Sequence, residues 1–347
     1  MEELGEEFID GVRVFRSRSK LRPNTSFAKR IESGISFIAH GLRNTRGNSP
    51  IGEDYDVVLV TSGTVFAAWL GVHFAKKRGL PLVVEFRDLT YRQMIATGGS
   101  ENSIKVKAMK ALELSFCKAA KRVVVLTGGF RDELLTNGIP KQKIAVVPNG
   151  ADLVACNHNW NGVLRLGYFG TMGISQDVLR TLELASSIHQ HGLLGCYVLI
   201  GEGAARSSIE EMLLRSKEYT FVTLKHGIPK NDLEPWYGNV HMTVVSLRRS
   251  RDFSGTVPSK IFQSFARGTP VLFIGPEGEA ARLVRESGGG LALCGDDREC
   301  TDMLLKFLSS PNLSKDLFEM GKRATAFMER NYTRSILAER MLGVMSD

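Results

Sequence analysis

The most specific stretch of the sequence is residues 246–272, which read SLRRSRDFSGTVPSKIFQSFARGTPVL. Its basic loop holds three arginines, Arg248, Arg249 and Arg251. Pro258 suits the first position of a helix, where its missing N–H would be unpaired anyway. Lys260 and Gln263 follow in the first turns, and a Gly-Thr-Pro turn leads into an apolar strand. The pattern predicts a helix beside a buried strand, with cations at the positive end of the helix dipole.

Short apolar, β-branched runs recur on both sides of this stretch, with helical patterns between most of them. In the first half they are residues 12–15, 57–60, 82–86, 123–126 and 144–147. In the second half they are residues 164–169, 197–200, 221–224, 240–246, 271–274 and 290–293. This alternation predicts an α/β fold with two Rossmann-like parallel-sheet domains in tandem, facing a cleft.

The domain boundary is predicted at residues 148–162, a polar stretch rich in turn residues. We expect a first domain over residues 1–150 and a second over 161–332. The last helix, residues 333–347, is expected to return to the first domain. Because ligands of open α/β sheets bind beyond the carboxyl ends of the strands, chemistry is expected just after strands.

Residues 57–75 contain no charged side chain and are followed by Lys76, Lys77 and Arg78. This pattern could indicate a membrane-spanning helix. The sequence also fits a strand at 57–60, a Thr-Ser-Gly turn and a helix at 64–77 with Val65, Trp69, Leu70 and Val72 on its apolar face. We favour strand, turn and helix, because the same order of elements recurs along the chain.

Composition restricts the class of protein. The 347 residues are 43% hydrophobic and 24% charged, which is typical of a soluble globular protein. Five cysteines form no CxxC pair, so we expect neither zinc nor structural disulfides. The acidic first ten residues lack the pattern of a signal peptide. These features predict a cytoplasmic protein.

The net charge of +8 is carried by one half of the chain. Residues 1–150 contain 23 Lys and Arg against 15 Asp and Glu, and the remainder contains 22 of each. Residues 11–30 contain seven basic side chains and no acid. Such a segment suits an anionic membrane surface, which would make the protein peripheral on the inner face of the membrane. A simply solvated basic face remains an alternative, and no nucleic-acid-binding motif is present.

Two glycine-rich turns follow predicted strands of the second half. The first is GYFGTMG, residues 167–173, and the second is GEG, residues 201–203. Glycine at these positions lets backbone amides approach a phosphate, although packing turns use the same residues. Arg206 lies just after the second turn and could either reach a diphosphate or remain an exposed surface residue.

In combination, these motifs resemble glycosyltransferase family 4, of the GT-B fold. The resemblance rests on PSKIFQSFARGTPVL, GYFGTMG, GEG, GIPKQKIAVVPNGADL and VVEFRDLTY. It covers nearly all of the chain from about residue 8, and the combination of motifs is more specific than any one of them. Within the family it is similar to bacterial polysaccharide enzymes of the colanic-acid fucosamine transferase group.

The resemblance implies a retaining, metal-independent transferase without a cofactor. It would bind a nucleotide sugar, expected to be UDP-linked, in the second domain and a glycan or lipid-linked acceptor in the first. The implied donor-binding residues are Gly170, Gly173, Gly201, Gly203, Arg206, Gly227, Ile228, Arg248, Arg249, Ser259, Lys260 and Gln263. Gly227 and Ile228 match the strand end that reads the base, and Lys260 is placed beside the diphosphate.

Three departures from the family pattern bear on this implication. The paired glutamates of the family, separated by seven residues, correspond here to Gly255 and Gln263. The Arg and Lys that many members have after the glycine loop are missing between Gly173 and Arg180. The chain also starts beyond the family's first strand and helix, from which we expect a misassigned start or a remnant.

In the first domain the candidate catalytic residues are Arg87 and Asp88, directly after the strand 82–86. A carboxylate there could orient or deprotonate an acceptor hydroxyl, with Arg87 near developing phosphate charge. The alternative is a pair that caps the following turn. Asp54-Tyr55-Asp56 precedes its strand and thus lies at the wrong sheet edge for a metal site.

The sequence therefore predicts a glycosyltransferase of cell-surface polysaccharide biosynthesis, with Lys260 assisting departure of the diphosphate. The alternative is a non-catalytic GT-B remnant that acts as a partner or scaffold.

Overall fold

The structure, a computed structural model, describes residues 6–16, 27–44, 55–160 and 162–346. Its strands are β1 Glu6–Ile9, β2 Val12–Phe15, β3 Val58–Ser62, β4 Leu82–Phe86, β5 Arg122–Val125, β6 Ile144–Val146, β7 Leu164–Phe169, β8 Leu194–Ile200, β9 Val222–Lys225, β10 Met242–Ser246, β11 Val271–Ile274 and β12 Gly290–Leu293. Its helices are α1 Phe27–Asn44, α2 Val65–Arg78, α3 Thr90–Ala96, α4 Ile104–Ala119, α5 Gly128–Thr136, α6 Val178–Gln190, α7 Arg206–Arg215, α8 Glu234–Asn239, α9 Ser259–Phe265, α10 Glu279–Ser287, α11 Asp297–Leu308, α12 Leu313–Asn331 and α13 Arg334–Ser346.

The first domain is built on a parallel sheet in the order β3-β4-β5-β6. All five residues of β4 are buried, as expected for a strand covered on both faces. Helix α1 packs on α2 where Gly34 lies against the ring of Phe66 and Gly41 against Leu70. A side chain at either glycine would collide with α2, so the two glycines set how closely the helices approach.

The second domain has a six-stranded parallel sheet in the order β12-β11-β10-β7-β8-β9. From β7 the chain proceeds to one side through β8 and β9, and from β10 to the other through β11 and β12. The strand order therefore reverses between β7 and β10, and the loops after these two strands diverge to form a crevice. The sequence-based prediction of two parallel-sheet α/β units is confirmed.

The chain passes between the domains twice. The described residues between β6 and β7 form no helix or strand. After α12, helix α13 returns to the first domain, where Leu337 packs with Val83, Val124 and Val147. The two passages touch each other, because the amide of Ala151 donates to the carbonyl oxygen of Tyr332 at 3.2 Å.

Two details of the sequence-based interpretation were wrong. Strand β2 pairs antiparallel with β1 in a separate hairpin, because Asp10 and Gly11, at φ 48° and 81°, form the turn between them. Trp69 does not face the core: it is 39% exposed and stacks on His73, while Ala68 and Ala75 provide the fully buried positions of α2.

Residues 57–75 form β3, a turn and most of α2, as expected, and Thr64 caps the helix by accepting from the amide of Ala67. No described helix has the length and hydropathy needed to cross a bilayer.

Candidate functional site

A cavity of about 300 Å³ lies between the two domains. The first domain contributes Arg87 and Asp88, which follow β4, together with Arg92 and Gln93 from α3. The second domain contributes Thr171 after β7, Leu247 after β10, and Lys260 from α9. The cavity thus opens where the strand order of the second sheet reverses, and it brings together the three predicted catalytic residues, Arg87, Asp88 and Lys260.

Lys260 is the cation on the second-domain side of this cavity. Its Nζ donates to the hydroxyl of Tyr168 at 2.7 Å and to the carbonyl oxygen of Thr171 at 3.1 Å. Among the described residues, no carboxylate lies within ion-pair distance of this ammonium. Burial lowers the pKa of Lys260 to about 7. An anion bound in the cavity would stabilise the charged form of Lys260, so the amine would take up a proton when the anion binds.

Lys260 packs against the glycine loop that follows β7. Gly170 has a φ of 122°, a conformation that side chains disfavour, and a Cβ there would lie 2.8 Å from Cε of Lys260. Tyr168 holds the same loop by donating to the carbonyl oxygen of Thr171 at 2.6 Å. The amide of Gly173 donates to Oε1 of Gln176 at 3.0 Å. The positive φ thus favours glycine at position 170, and a side chain there would displace the end of Lys260.

The second glycine turn packs behind the first. Gly201 lies against the carbonyl oxygen of Gly170, and Gly203 lies against the backbone of Met172. Arg206 donates to the carbonyl oxygens of Gly201 and Lys225 at 2.8 and 2.9 Å. It does not line the cavity. Its guanidinium is held by the carboxyl ends of β8 and β9.

Other predicted donor residues lie around the cavity without lining it. Gly227 is exposed and donates its amide to Glu202 at 3.1 Å, while Ile228 packs against Phe169 and its apolar neighbours. Arg248 is exposed, and Arg249 forms an ion pair with Asp297 at 2.8 Å.

Asp88 has a strongly perturbed carboxyl group. Burial raises its pKa to about 6, against the opposing effects of the Arg87 charge and a hydrogen bond from Gln93. Arg87 is exposed and donates to Oδ1 of Asn149 at 2.9 Å. A carboxylate with a pKa near neutrality can accept a hydroxyl proton at physiological pH.

Two further cavities adjoin the first and share Leu126 and Asn149 with it. One of about 420 Å³ contains Gln263 and Glu85, and Ser259 lines both this cavity and the one with Lys260. Glu85 is buried and accepts from the hydroxyl of Thr61 at 2.7 Å. Gln263 thus lines the neighbouring cavity, about one helical turn after Lys260 in α9.

The domains contact each other through groups that the sequence did not single out. The hydroxyl of Thr127 donates to the carbonyl oxygen of Gly255 at 2.7 Å, and the amide of Gly129 donates to Glu279. Arg92 of α3 lies 3.5 Å from Asp252, which is part of the opening stretch 246–272. Pairings across more than a hundred residues leave no local pattern in the sequence.

Gly255, where the family resemblance predicts a glutamate, lies at this contact. A Cβ at Gly129 would lie 2.7 Å from Cα of Gly255. We expect Gly129→Ala to push the domains apart and to cost about 1–3 kcal/mol of stability, as overpacking does. Small-angle scattering should show a larger radius of gyration. Gly63→Ala, where a Cβ meets nothing within 4 Å, is the matched control. An unchanged radius in both variants would contradict the prediction.

Comparison with known proteins identifies the fold. Residues 3–150 match the family described as Glycosyl transferase 4-like domain. Sucrose-phosphate synthase from Thermosynechococcus elongatus superposes with a TM-score of 0.73 at 15% identity, over 97% of this chain and 84% of that protein. HepE from Anabaena, solved with UDP and glucose, gives 0.69 at 12% identity over 94% and 84%.

TarM from S. aureus, solved with fondaparinux, α-GlcNAc-glycerol and UDP, gives a TM-score of 0.67 at 13% identity. The match covers 90% of this chain and 59% of TarM, so the chain spans little more than half the length of that protein. No curated protein matches the sequence. The two facing domains have the GT-B fold.

Proposed function

We propose that this chain is a retaining, metal-independent glycosyltransferase that transfers a sugar from a nucleotide sugar to a glycan or lipid-linked acceptor. The observation that carries the proposal is Lys260. Its amine lies half-buried in a cavity between two domains, beyond the carboxyl ends of β7 and β10, and no described carboxylate lies within ion-pair distance of it. Such a site suits an anionic ligand that supplies the missing charge, and a diphosphate is one.

On the donor side, Lys260 would stabilise the leaving diphosphate. Negative charge grows on the phosphate oxygen as the bond to the sugar breaks, and a fixed cation stabilises that charge most where water is excluded. The Gly170 loop lets Lys260 approach, and Ser259 lies beside it. We further propose that Gly227 and Ile228 contact the base. The donor would be UDP-linked, a proposal supported by the UDP found in the structures of HepE and TarM.

On the acceptor side, Asp88 would accept a hydrogen bond from the acceptor hydroxyl and orient it towards the sugar. The hydroxyl oxygen attacks from the face that the diphosphate leaves, and its proton passes to the departing phosphate oxygen. Arg87, held by Asn149, adds positive charge on the same side. No resident cofactor or metal is needed for these steps.

The proposed setting is cell-surface polysaccharide biosynthesis at the inner face of the cytoplasmic membrane. The basic segment 11–30 is the proposed contact with anionic lipid, although Arg18 and Arg22 within it lie outside the described residues. Among the described arginines of this segment, Arg16 forms an ion pair with the carboxylate of Glu7.

The proposal is tested by a donor screen. Thermal shift and calorimetry with UDP, GDP and their sugars should show stabilisation by a nucleoside diphosphate.

We expect Gln263→Glu to retain UDP affinity or to tighten it, because a carboxylate accepts charge-assisted hydrogen bonds from ribose hydroxyls. A tenfold loss of UDP affinity, about 1.4 kcal/mol, would mean that the ribose does not contact residue 263. The new carboxylate would then only be repelled by Glu85, which lines the same cavity.

The second candidate function is a non-catalytic GT-B protein that acts as a partner or scaffold. It is favoured by Gly255 and Gln263, which stand where the family pattern predicts two glutamates. Nucleotide binding without release of UDP from any UDP-sugar and acceptor pair would support this candidate.

A further inference from the structure

Glu85 is a buried carboxylate that the proposed reaction leaves unused. It is 9% exposed and lies near the carboxyl end of β4, on the same face of the sheet as Val83. Its Oε2 accepts from the hydroxyl of Thr61, which lies opposite it on β3. No Lys, Arg or His of the described residues lies within ion-pair distance of this carboxylate, and its Oε1 has no hydrogen-bond partner among them. A buried charge is costly unless further donors reach it.

The cavity that Glu85 lines has a volume of about 420 Å³, and Oε1 of Glu85 remains accessible. Two arginines line it as well, but both are engaged: Arg87 donates to Asn149, and Arg334 forms an ion pair with Asp152 at 3.0 Å. The guanidinium groups disfavour a cationic ligand in this cavity, and the carboxylate disfavours an anionic one. A neutral group with hydroxyl donors suits both, because a carboxylate only accepts hydrogen bonds.

We propose that Glu85 accepts a hydrogen bond from a ribose hydroxyl of the donor nucleotide, on the opposite side of the ribose from Gln263. This inference rests on the proposed transferase function and adds a residue of the first domain to the donor site. Glu85 in β4 and Gln263 in α9 belong to different domains but line the same cavity. Ribose has two neighbouring hydroxyls, so one can donate to each side chain.

The lining of the two cavities favours ribose over a sugar of the acceptor, which would offer the same pair of hydroxyls. Ser259 lines both the cavity of Lys260 and that of Glu85, so the group next to a diphosphate held by Lys260 would lie within reach of Glu85. Asp88, the proposed contact of the acceptor, lines the cavity of Lys260 but not that of Glu85. Glu85 would also supply the negative charge that Gln263 lacks at the position where the family pattern predicts a glutamate.

The experiment measures the affinities of the full chain for UDP and for 2′,3′-dideoxy-UDP, which lacks both hydroxyls, by calorimetry. We expect Glu85→Gln to bind UDP about tenfold more weakly, because the hydrogen bond to ribose loses its charge assistance. The affinity for 2′,3′-dideoxy-UDP should stay the same or rise, since loss of a carboxylate near an anionic diphosphate removes repulsion. Glutamine can still accept from Thr61, so the variant should fold, which circular dichroism checks.

Asp56→Asn is the matched control. Asp56 is an exposed carboxylate of the first domain that precedes β3, at the opposite end of this strand from Thr61. The control therefore loses the same charge without touching the cavity, and its affinity for both nucleotides should change by less than about twofold.

A loss of UDP affinity that disappears with 2′,3′-dideoxy-UDP would support the inference, because only the hydroxyls distinguish the two ligands. An equal loss for both nucleotides would overturn it and assign Glu85 a structural role. Unchanged or tighter UDP binding by Glu85→Gln would also overturn it and leave an acceptor sugar as the source of the hydroxyls. In both of these cases the proposed donor site stands if the parent binds UDP and Lys260→Met does not, whereas a parent that binds no UDP would refute the donor site as well.

Discussion

Replacing Asp88 by asparagine is expected to lower turnover by about 10- to 100-fold, because the acceptor hydroxyl loses a hydrogen bond to a charged group, worth about 1.5–3 kcal/mol. Asparagine keeps the size of the side chain but cannot accept a hydrogen bond with a full negative charge. The affinity for UDP should change by less than about twofold, because Asp88 lies on the first-domain side of the cavity. The readout is UDP release from a UDP-sugar with acceptor, alongside calorimetry with UDP.

The pH dependence gives an independent check on the same residue. Because burial raises the pKa of Asp88 to about 6, the carboxylate is present above pH 6, and activity should fall as the pH drops through that value. The stability of the folded protein should depend on pH in the opposite sense. Above pH 6 the native state holds a buried charge that the unfolded state solvates, so Asp88→Asn should melt at an equal or higher temperature than the parent at pH 8. A less stable variant with weaker UDP binding would contradict the assignment of the two domains to their ligands.

Replacing Lys260 by methionine is expected to weaken UDP binding by about 10- to 100-fold. A hydrogen bond to a charged group is worth about 1.5–3 kcal/mol, and tenfold corresponds to about 1.4 kcal/mol. Methionine keeps an unbranched chain beside Gly170 while removing the ammonium. The thermal shift produced by UDP should largely disappear, and equal shifts in variant and parent would refute the role of Lys260.

Proton uptake should accompany UDP binding to the parent protein. With a pKa of about 7, Lys260 is mostly neutral at pH 8, and a bound diphosphate would restore its charge. Calorimetry in buffers of different ionisation enthalpy should then show uptake approaching one proton at pH 8 and little at pH 6. Lys260→Arg, which stays charged throughout, should bind UDP without this uptake. Affinity in the parent should decline above pH 7.

The buried strands were predictable from local sequence, and the surroundings of the candidate site were less so. Strands β4, β7, β11 and β12 begin and end where the mostly apolar runs do, because strands buried on both faces are mostly apolar. Glu85 of β4 and Arg165 of β7 are the charged residues within them. The hairpin of β1 and β2 was missed, although Asp10-Gly11 is a strong turn signal, since the alternation of strands and helices was extended to the start of the chain.

The predicted ligand-binding residues differ in whether other groups of the protein already occupy their hydrogen-bonding atoms. Lys260 and Asp88 meet in the cavity because both follow the ends of central strands, which parallel topology brings to one side. Arg206 also follows a strand, but backbone carbonyls at the ends of β8 and β9 take up its donors. The i,i+4 spacing of Arg206 and Glu210, which form an ion pair at 2.9 Å, was a local sign of a structural role, whereas the contacts with the carbonyl oxygens depend on long-range packing.

The return of α13 to the first domain has a consequence for how the protein is made. The face of the first sheet that includes Val83 and Val124 is covered by Leu337 and its neighbours, which are synthesised after the whole second domain. At about 5–20 residues per second, that apolar face waits for roughly ten seconds or more after the rest of its domain has been translated. During this interval the nascent chain exposes an apolar surface, so ribosome-associated chaperones should be engaged until α13 has been synthesised. A message cut short before α13 would leave its product permanently in that state.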